Sequence, residues 1–82
     1  MDEIETYAER RLLYALGLMC NQYLGELHEG TMVLDHMWMT AGEEAFKLLS
    51  GYGLIEIEGR GATWTALGEE FMNSDLNLRS LP

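Results

Sequence analysis

The sequence has little cysteine, few basic side chains and no long apolar run, and each shortage excludes a class of protein. The single cysteine, Cys20, cannot form a disulfide within the chain. No stretch approaches the roughly 20 apolar residues of a membrane span, and none has the charged and apolar regions of a signal peptide. We therefore expect a protein of a reducing cytoplasm with no membrane partner.

Basic side chains are far outnumbered by acidic ones. Five Lys and Arg stand against 14 Asp and Glu, which gives a formal net charge of −9. Such a charge repels polyphosphate and anionic lipid and favours basic partners. The 82 residues, 48% of them hydrophobic, suffice for one core. We expect a single domain over residues 1–82, in which residues 73–82 form a polar tail.

Residues 2–27 have the apolar periodicity of one long helix. Thr6 and Glu9 form a capping-box pattern that leaves the start of the helix uncertain by a turn. Gly17 lies inside this helix, where glycine costs about 1 kcal/mol relative to alanine. Either another backbone approaches there, within the domain or across a dimer, or the loss is tolerated. The predicted core stripe consists of Leu12, Leu16, Met19, Cys20, Tyr23 and Leu27.

Two further helices are predicted in the middle of the chain. Residues 31–39 form a compact apolar segment that we interpret as a short second helix. A third helix begins at the capping-box pattern of Thr40 and Glu43 and ends near Gly51. Its predicted apolar face consists of Ala45, Leu48, Leu49 and Tyr52.

A β-hairpin is predicted after the third helix. A two-residue turn at Arg60 and Gly61 pairs Ile57 with Trp64 and places the apolar residues on one face. A slip by one residue would turn them to opposite faces. We therefore expect Ile55, Ile57 and Trp64 to be buried, and Trp64→Ala to cost roughly 3 to 5 kcal/mol.

The stretch GYGLIEIEGRGATWTALGEEF that follows the third helix resembles the end of the recognition helix, the wing and the next helix of the winged helix-turn-helix superfamily. The match is closest to the multidrug-resistance-regulator type. It is carried by Gly53, Leu54 and Ile55 where the wing begins, and by Thr65 with Gly68 where the next helix begins. The resemblance implies a mainly α winged-helix fold with a small β-hairpin. The residues themselves allow Thr65 to act as the N-cap of a last helix that contains Leu67 and Phe71.

The resemblance also implies where DNA would be contacted. The family reads DNA with the outer face of its recognition helix and a basic wing tip, which correspond here to Lys47 and Arg60. The basic doublet Arg10 and Arg11 could touch a phosphate in a dimer, or could simply balance nearby glutamates. On the helix and wing, the two cations stand among four acids, which gives a net charge of −2. These acids are Glu43, Glu44, Glu56 and Glu58. Duplex DNA is therefore not the expected ligand.

Met37, Trp38 and Met39 form an apolar cluster with two interpretations. Flexible thioethers beside a tryptophan suit an adaptable protein-binding surface, but they also fill cores. A helix this short cannot hide all three side chains on one side. At least one of the three should be exposed.

Catalytic, metal and cofactor sites are not expected. Cys20, His28, Asp35 and His36 follow no zinc-ligand spacing. No glycine loop has a phosphate-cradling pattern, and no nucleophile has a recognisable base partner.

The first functional hypothesis is a non-catalytic acidic protein that binds a protein partner and covers its basic nucleic-acid-binding surface. Its contacts would be the four glutamates, with Met37, Trp38 and Met39 as apolar anchors. Small acidic phage-encoded inhibitors of bacterial nucleases, including anti-CRISPR proteins, are analogous in size, charge and fold. The alternative hypothesis is a dimeric winged-helix transcription regulator that uses Lys47 and Arg60 and dimerises through the first helix and residues 76–81.

Overall fold

The computed structural model describes residues 6–73, which form three helices and one four-stranded antiparallel sheet. The order of the strands in the sheet is β1-β2-β4-β3. The elements in chain order are α1 (Tyr7–Leu24), β1 (Gly25–His28), β2 (Thr31–Asp35), α2 (Thr40–Gly51), β3 (Ile55–Glu58), β4 (Gly61–Trp64) and α3 (Ala66–Met72). The fold is therefore mixed α and β, with a larger sheet than the small hairpin that the sequence predicted.

The helices cover one face of the sheet and leave the other open. Glu26, Val33, Thr63 and Glu56 pair across the four strands in one row, and three of them are exposed. Alternate residues point the other way, toward the helices. The buried apolar core joins both layers and consists of Leu13, Cys20, Leu24, Leu34, Ala45, Phe46, Leu49, Leu54, Ile55, Ala62 and Phe71.

The predicted second helix is wrong, because Thr31–Asp35 is strand β2. This strand pairs with β1 on one side and with β4 on the other. Leu34 points to the core while Val33 joins the open face. The run of apolar residues hid this alternation, and the pairing with β4 joins segments far apart in sequence.

The first helix is shorter than predicted and buries a different stripe. Of the two possible starts, the one at the Thr6 cap is observed, since the Thr6 hydroxyl accepts a hydrogen bond from the Glu9 amide at 3.0 Å. The predicted start at residue 2 lies outside the described residues. It ends at Leu24 because the chain turns into β1 at Gly25. The buried positions are Leu13, Gly17, Cys20 and Leu24. Apart from Cys20 and the half-buried Leu16, the predicted stripe is exposed. Apolar residues cover more than one face of α1, so periodicity alone could not choose between them.

Gly17 is buried against other elements, but it meets side chains and not the backbone that the close-approach alternative expected. A Cβ atom there would lie 2.7 Å from the Met72 sulfur and 2.9 Å from Cη2 of Trp64. The neighbours are thus side chains of α3 and β4 within the same domain.

Both hairpins have two-residue turns with positive φ values. Glu29 and Gly30 connect β1 to β2 with φ of 53° and 84°, and Gly59 with φ of 64° begins the turn between β3 and β4. Such turns match the twist of antiparallel strands, and glycine adopts them without strain. The predicted turn at Arg60 and Gly61 is therefore wrong, because Gly59 supplies the required backbone one position earlier.

The observed β3–β4 register pairs Ile55 with Trp64, which is two residues from the predicted register. An even shift keeps each side chain on its face. Ile55 is accordingly buried and Trp64 half-buried, with its indole N–H donating to Asn21 Oδ1 at 2.8 Å. Ile57 is 38% exposed, so its predicted burial is wrong.

The start and the apolar face of α2 also differ from prediction. The residue before α2 is Met39, whose side chain makes no capping hydrogen bond, so Thr40 is not the cap. Ala45 and Leu49 are buried as expected, but Leu48 is 49% exposed and Phe46 takes its place in the core.

The end of α2 is joined to the start of α3. Gly53, with φ of 78°, donates its amide to Ser50 O at 2.9 Å, and the Leu54 amide donates to Leu49 O at 3.0 Å, which is a Schellman ending. The Thr65 hydroxyl accepts from the Gly68 amide at 2.9 Å and donates to Gly53 O at 2.7 Å. Thr65 is thus the N-cap of α3, as predicted.

Candidate functional site

The turn between β2 and α2, residues 36–39, has an unusual backbone and is called the Trp38 turn. The Met39 amide donates to His36 O at 2.8 Å across the turn. Its two central residues, Met37 and Trp38, have φ of 52° and 64°. Bulky residues rarely adopt this left-handed conformation, which costs of order 1 to 3 kcal/mol each. Surrounding contacts must hold the turn in place.

Two side chains at the start of the turn hold its backbone. Asp35 Oδ1 accepts from the Met37 amide at 2.7 Å, and His36 Nδ1 accepts from the Trp38 amide at 3.2 Å. The His36 ring is itself fixed, because it is 5% exposed and packs edge-on against Phe46 with ring centroids 5.5 Å apart. Since Nδ1 accepts, the neutral ring carries its proton on Nε2, which lies 4.0 Å from Glu43 Oε2.

The turn presents three large apolar side chains to solvent. Trp38 is 77% exposed, Met37 60% and Met39 48%. The prediction that at least one would be exposed is confirmed, and the core-filling interpretation is wrong for all three. A rigid backbone therefore displays the apolar side chains that protein interfaces use as anchors.

Arg60 connects the Trp38 turn to the tip of the β3–β4 hairpin. Its guanidinium lies 5.4 Å from the centroid of the Trp38 ring, and its Nε donates to Asp35 Oδ2 at 3.0 Å. Arg60 O also accepts from the His36 amide at 3.0 Å. The predicted DNA-contacting residue of the wing tip therefore stabilises the apolar turn.

Lys47, the other predicted DNA contact, is also engaged by acids. Its Nζ lies 3.1 Å from Glu44 Oε2 and 3.8 Å from Glu43 Oε1. The hydrogen bond that Lys47 donates to Glu44 and the negative charge of Glu44, with a smaller contribution from the charge of Glu43, raise the pKa of Lys47. All three side chains are exposed on α2, and together they carry a net charge of −1.

The predicted acidic residues belong to two surfaces. Glu43 and Glu44 lie on α2, whereas Glu56 and Glu58 lie on the open face of the sheet at the edge strand β3. Across the strands, Gly61 pairs with both Glu58 and Asp35, which places this aspartate near the same edge. The Trp38 turn follows Asp35 and precedes α2, so acids flank it along the chain on both sides.

The remaining predicted cations lie elsewhere. The Arg10 guanidinium is 5.4 Å from the centroid of the Phe71 ring in α3, and Arg11 is exposed on α1. The four basic residues that DNA binding would use are therefore dispersed over α1, α2 and the β3–β4 turn, and two of them are ion-paired.

Neither a cluster of possible metal ligands nor a membrane-spanning helix is found in the described part of the chain. Residues 6–73 contain no group of three His, Cys, Asp or Glu side chains that could hold a metal ion. Cys20, which was considered as a ligand in the sequence, is buried, and this burial raises the pKa of its thiol above the ordinary value. No helix within the same residues is both long and apolar enough to span a bilayer.

Sequence reasoning missed the roles of Asp35, His36 and Arg60 in holding the Trp38 turn. An acid directly before a turn is a recognisable signal, because Asp often accepts from an amide two residues on. Met37 and Trp38 gave no such signal.

Comparisons of this chain with models of protein families, with curated proteins and with solved structures find no match.

Proposed function

We propose that this chain is a non-catalytic binding protein whose partner is a protein with a basic surface. The observation that carries the proposal is the exposed Trp38 on a strained backbone that Asp35 and His36 hold in place. Strain of this kind persists only where the surroundings enforce it, and it clusters at functional positions. Tryptophan is also among the residues most enriched at the energetic centres of interfaces.

The charge around the turn supports a basic partner. Glu43 and Glu44 follow it on α2, Asp35 precedes it, and the whole chain carries −9. Acids at the rim of an interface chiefly accelerate association with a basic surface and select the partner, whereas a central aromatic side chain supplies affinity. We infer that Trp38 inserts between basic side chains of the partner while the glutamates pair with them.

The proposed partner is a nucleic-acid-binding protein of the cytoplasm whose basic groove this chain covers. The analogy with small acidic phage-encoded inhibitors, including anti-CRISPR proteins, is part of this proposal. A relation to the winged helices is also part of this proposal. It is supported by the order of elements from α2 onward, which is a helix, a hairpin (β3 and β4) and a second helix (α3). The β1–β2 hairpin before α2 departs from that pattern. The alternative of a DNA-binding regulator has less support, because Lys47 and Arg60 are paired with acids.

Affinity capture tests the proposal. Immobilised unmodified protein and the Trp38→Ala variant would be incubated with the same bacterial lysate, and the retained proteins identified by mass spectrometry. We expect basic nucleic-acid-binding proteins to be retained by the unmodified protein and lost with Trp38→Ala. Leu27→Ala is the matched control, because Leu27 is a similarly exposed apolar residue on β1.

Two results would contradict the proposal. One is capture that is unaffected by Trp38→Ala. The other is salt-dependent binding of the unmodified protein to duplex DNA at micromolar or tighter affinity in physiological salt, which would favour the regulator with Lys47 and Arg60 as its contacts.

A further inference from the structure

A second exposed apolar surface runs along the side of α1 that faces α2. Leu12, Leu16, Met19 and Tyr23 are spaced by four, three and four residues, which places them in one stripe on the helix. Leu12 is 72% and Tyr23 73% exposed, and Met19 is about half exposed. This is most of the stripe that periodicity assigned to the core. The core instead contains the adjacent stripe of α1, which begins at Leu13 and ends at Leu24. No part of residues 6–73 covers the exposed apolar stripe.

The facing side of α2 completes a groove. Ala41, Leu48 and Tyr52 are spaced at helical intervals along that side, and Leu48 is about half exposed. Tyr52 at the end of α2 hydrogen-bonds Glu9 near the start of α1, so the two helices run antiparallel. At the other end lies a cleft of about 260 Å³, lined among others by Met19, Cys20, Tyr23, Met39, Ala41 and Ala45. The cleft, the exposed stripe of α1 and the facing side of α2 are together called the α1–α2 groove.

Charge and continuity indicate what the groove binds. Among the described residues no cation lines the cleft, and Glu9, which Tyr52 hydrogen-bonds, lies at the opposite end of the groove. On α2, Glu43 and Glu44 outweigh the charge of Lys47, with which both of them pair. A second copy would bring another net charge of −9 against the first, which opposes self-association. Met39 belongs both to the cleft and to the Trp38 turn, so the two apolar surfaces are continuous.

We propose that the α1–α2 groove binds an amphipathic helix of the basic partner, with apolar residues facing the groove and Lys or Arg on its flanks. The inference rests on the proposed function, because it takes the partner to be basic. From Leu12 to Tyr23 the stripe covers 11 residue steps, or about 16 Å of helix, which is about three turns. A bound helix of that length offers anchors at positions i, i+4, i+7 and i+11.

A synthetic peptide tests the groove without the natural partner. The probe is a fluorescently labelled amphipathic helix with leucines at those four positions and lysines on its other face, and a scrambled peptide of identical composition is the control. Fluorescence anisotropy would measure the affinity of each for the unmodified protein, Tyr23→Glu and Leu27→Glu. Both substitutions replace an exposed apolar residue by the same charge, but Leu27 lies on β1.

We expect Tyr23→Glu to weaken binding of the amphipathic peptide by about tenfold or more, which is about 1.4 kcal/mol. Leu27→Glu should leave it unchanged. The added acid would by itself favour a lysine-rich peptide, so a loss indicates that apolar contact has been removed. Leu48→Glu on α2 should repeat the loss, and circular dichroism would verify that each variant is folded.

The inference is overturned if the scrambled peptide binds as tightly or if Leu27→Glu weakens binding as much as Tyr23→Glu. It is also overturned if sedimentation shows a dimer of the unmodified protein that Tyr23→Glu dissociates, since the groove would then be covered by a second copy. The Trp38→Ala variant separates the two proposals. If it captures the partner normally while Tyr23→Glu abolishes peptide binding, the proposed role of Trp38 fails and the groove stands.

Discussion

At the scale of single residues, Met37 and Trp38 occupy a backbone that suits neither of them. Turns with positive φ at both central residues favour Asn-Gly, and that dipeptide would have been a clear turn signal. Met-Trp gives no such signal, and an apolar run beside it predicted a helix. The sequence predicted that Met37, Trp38 and Met39 could not all be buried, because three large side chains do not fit on one side of a short segment. It did not predict the left-handed turn, because bulky residues prefer negative φ.

Replacing these two residues by the dipeptide that the backbone prefers should separate stability from binding. We expect Met37→Asn with Trp38→Gly to raise the free energy of unfolding by about 1 kcal/mol, because the strain is relieved, and to abolish partner capture. Urea denaturation followed by circular dichroism would measure the change.

Met37→Ala with Trp38→Ala is the matched control, since it removes the same side chains but keeps residues that disfavour positive φ. Both double variants lose the contacts of Trp38 with His36 and Arg60. If the Asn-Gly variant were no more stable than the Ala-Ala variant, the turn would not be strained by its side chains.

At the scale of elements, the start of α3 is fixed to the carbonyls of Gly53 and Leu54, which lie just after the end of α2. Leu54 O accepts from the Thr65 amide at 3.0 Å and from the Thr65 hydroxyl at 3.1 Å. A Cβ atom on Gly68 would lie 1.9 Å from the same oxygen. The sequence predicted the cap at Thr65, since capping depends on neighbouring residues. It did not reveal the crossing at Gly68, which depends on how two distant segments pack.

Gly68→Ala should therefore destabilise the domain by about 3 kcal/mol, because the obstructing atom is backbone and cannot rotate away. Gly51→Ala is the control within another helix, where a Cβ meets nothing within 4 Å and φ is not positive. It should be neutral or stabilise by up to about 0.5 kcal/mol. Thermal unfolding of both variants would measure the difference, and a Gly68→Ala melting temperature equal to that of the unmodified protein would contradict the close approach.

At the scale of the whole molecule, the sheet joins parts of the chain that local patterns treat separately. The two long helices and the presence of a hairpin after the second of them were predicted from sequence patterns, although the first helix was expected over residues 2–27 and the hairpin turn one residue later than observed. The pairing of β2 with β4 was missed, because Val33 and Thr63 are neighbours only through folding. That pairing creates the open acidic face and thereby places Glu56 and Glu58 on a different surface from Glu43.

Charge reversal at two places can show whether this open face contributes to binding. Glu56→Lys with Glu58→Lys changes the net charge from −9 to −5, as does Glu69→Lys with Glu70→Lys on α3. We expect the first pair to slow association with the captured partner more than the second, because local field rather than total charge directs the encounter. A biosensor would measure association rates at low and physiological salt. Equal slowing would mean that only net charge matters.

The strand order leaves β1 and β3 at the two edges of the sheet. The unpaired backbone groups of an exposed edge strand can pair with a strand of another molecule. Natural proteins prevent such edge-to-edge pairing with short edge strands and charged side chains. Here both edge strands are four residues long, and their outward acids are Glu26, Glu56 and Glu58. Protection that depends on carboxylates is removed by protons. As the pH falls toward the isoelectric point near 4.4, the net negative charge that keeps copies of the protein apart approaches zero. We therefore expect acid to drive the protein toward aggregation through the edges of its sheet.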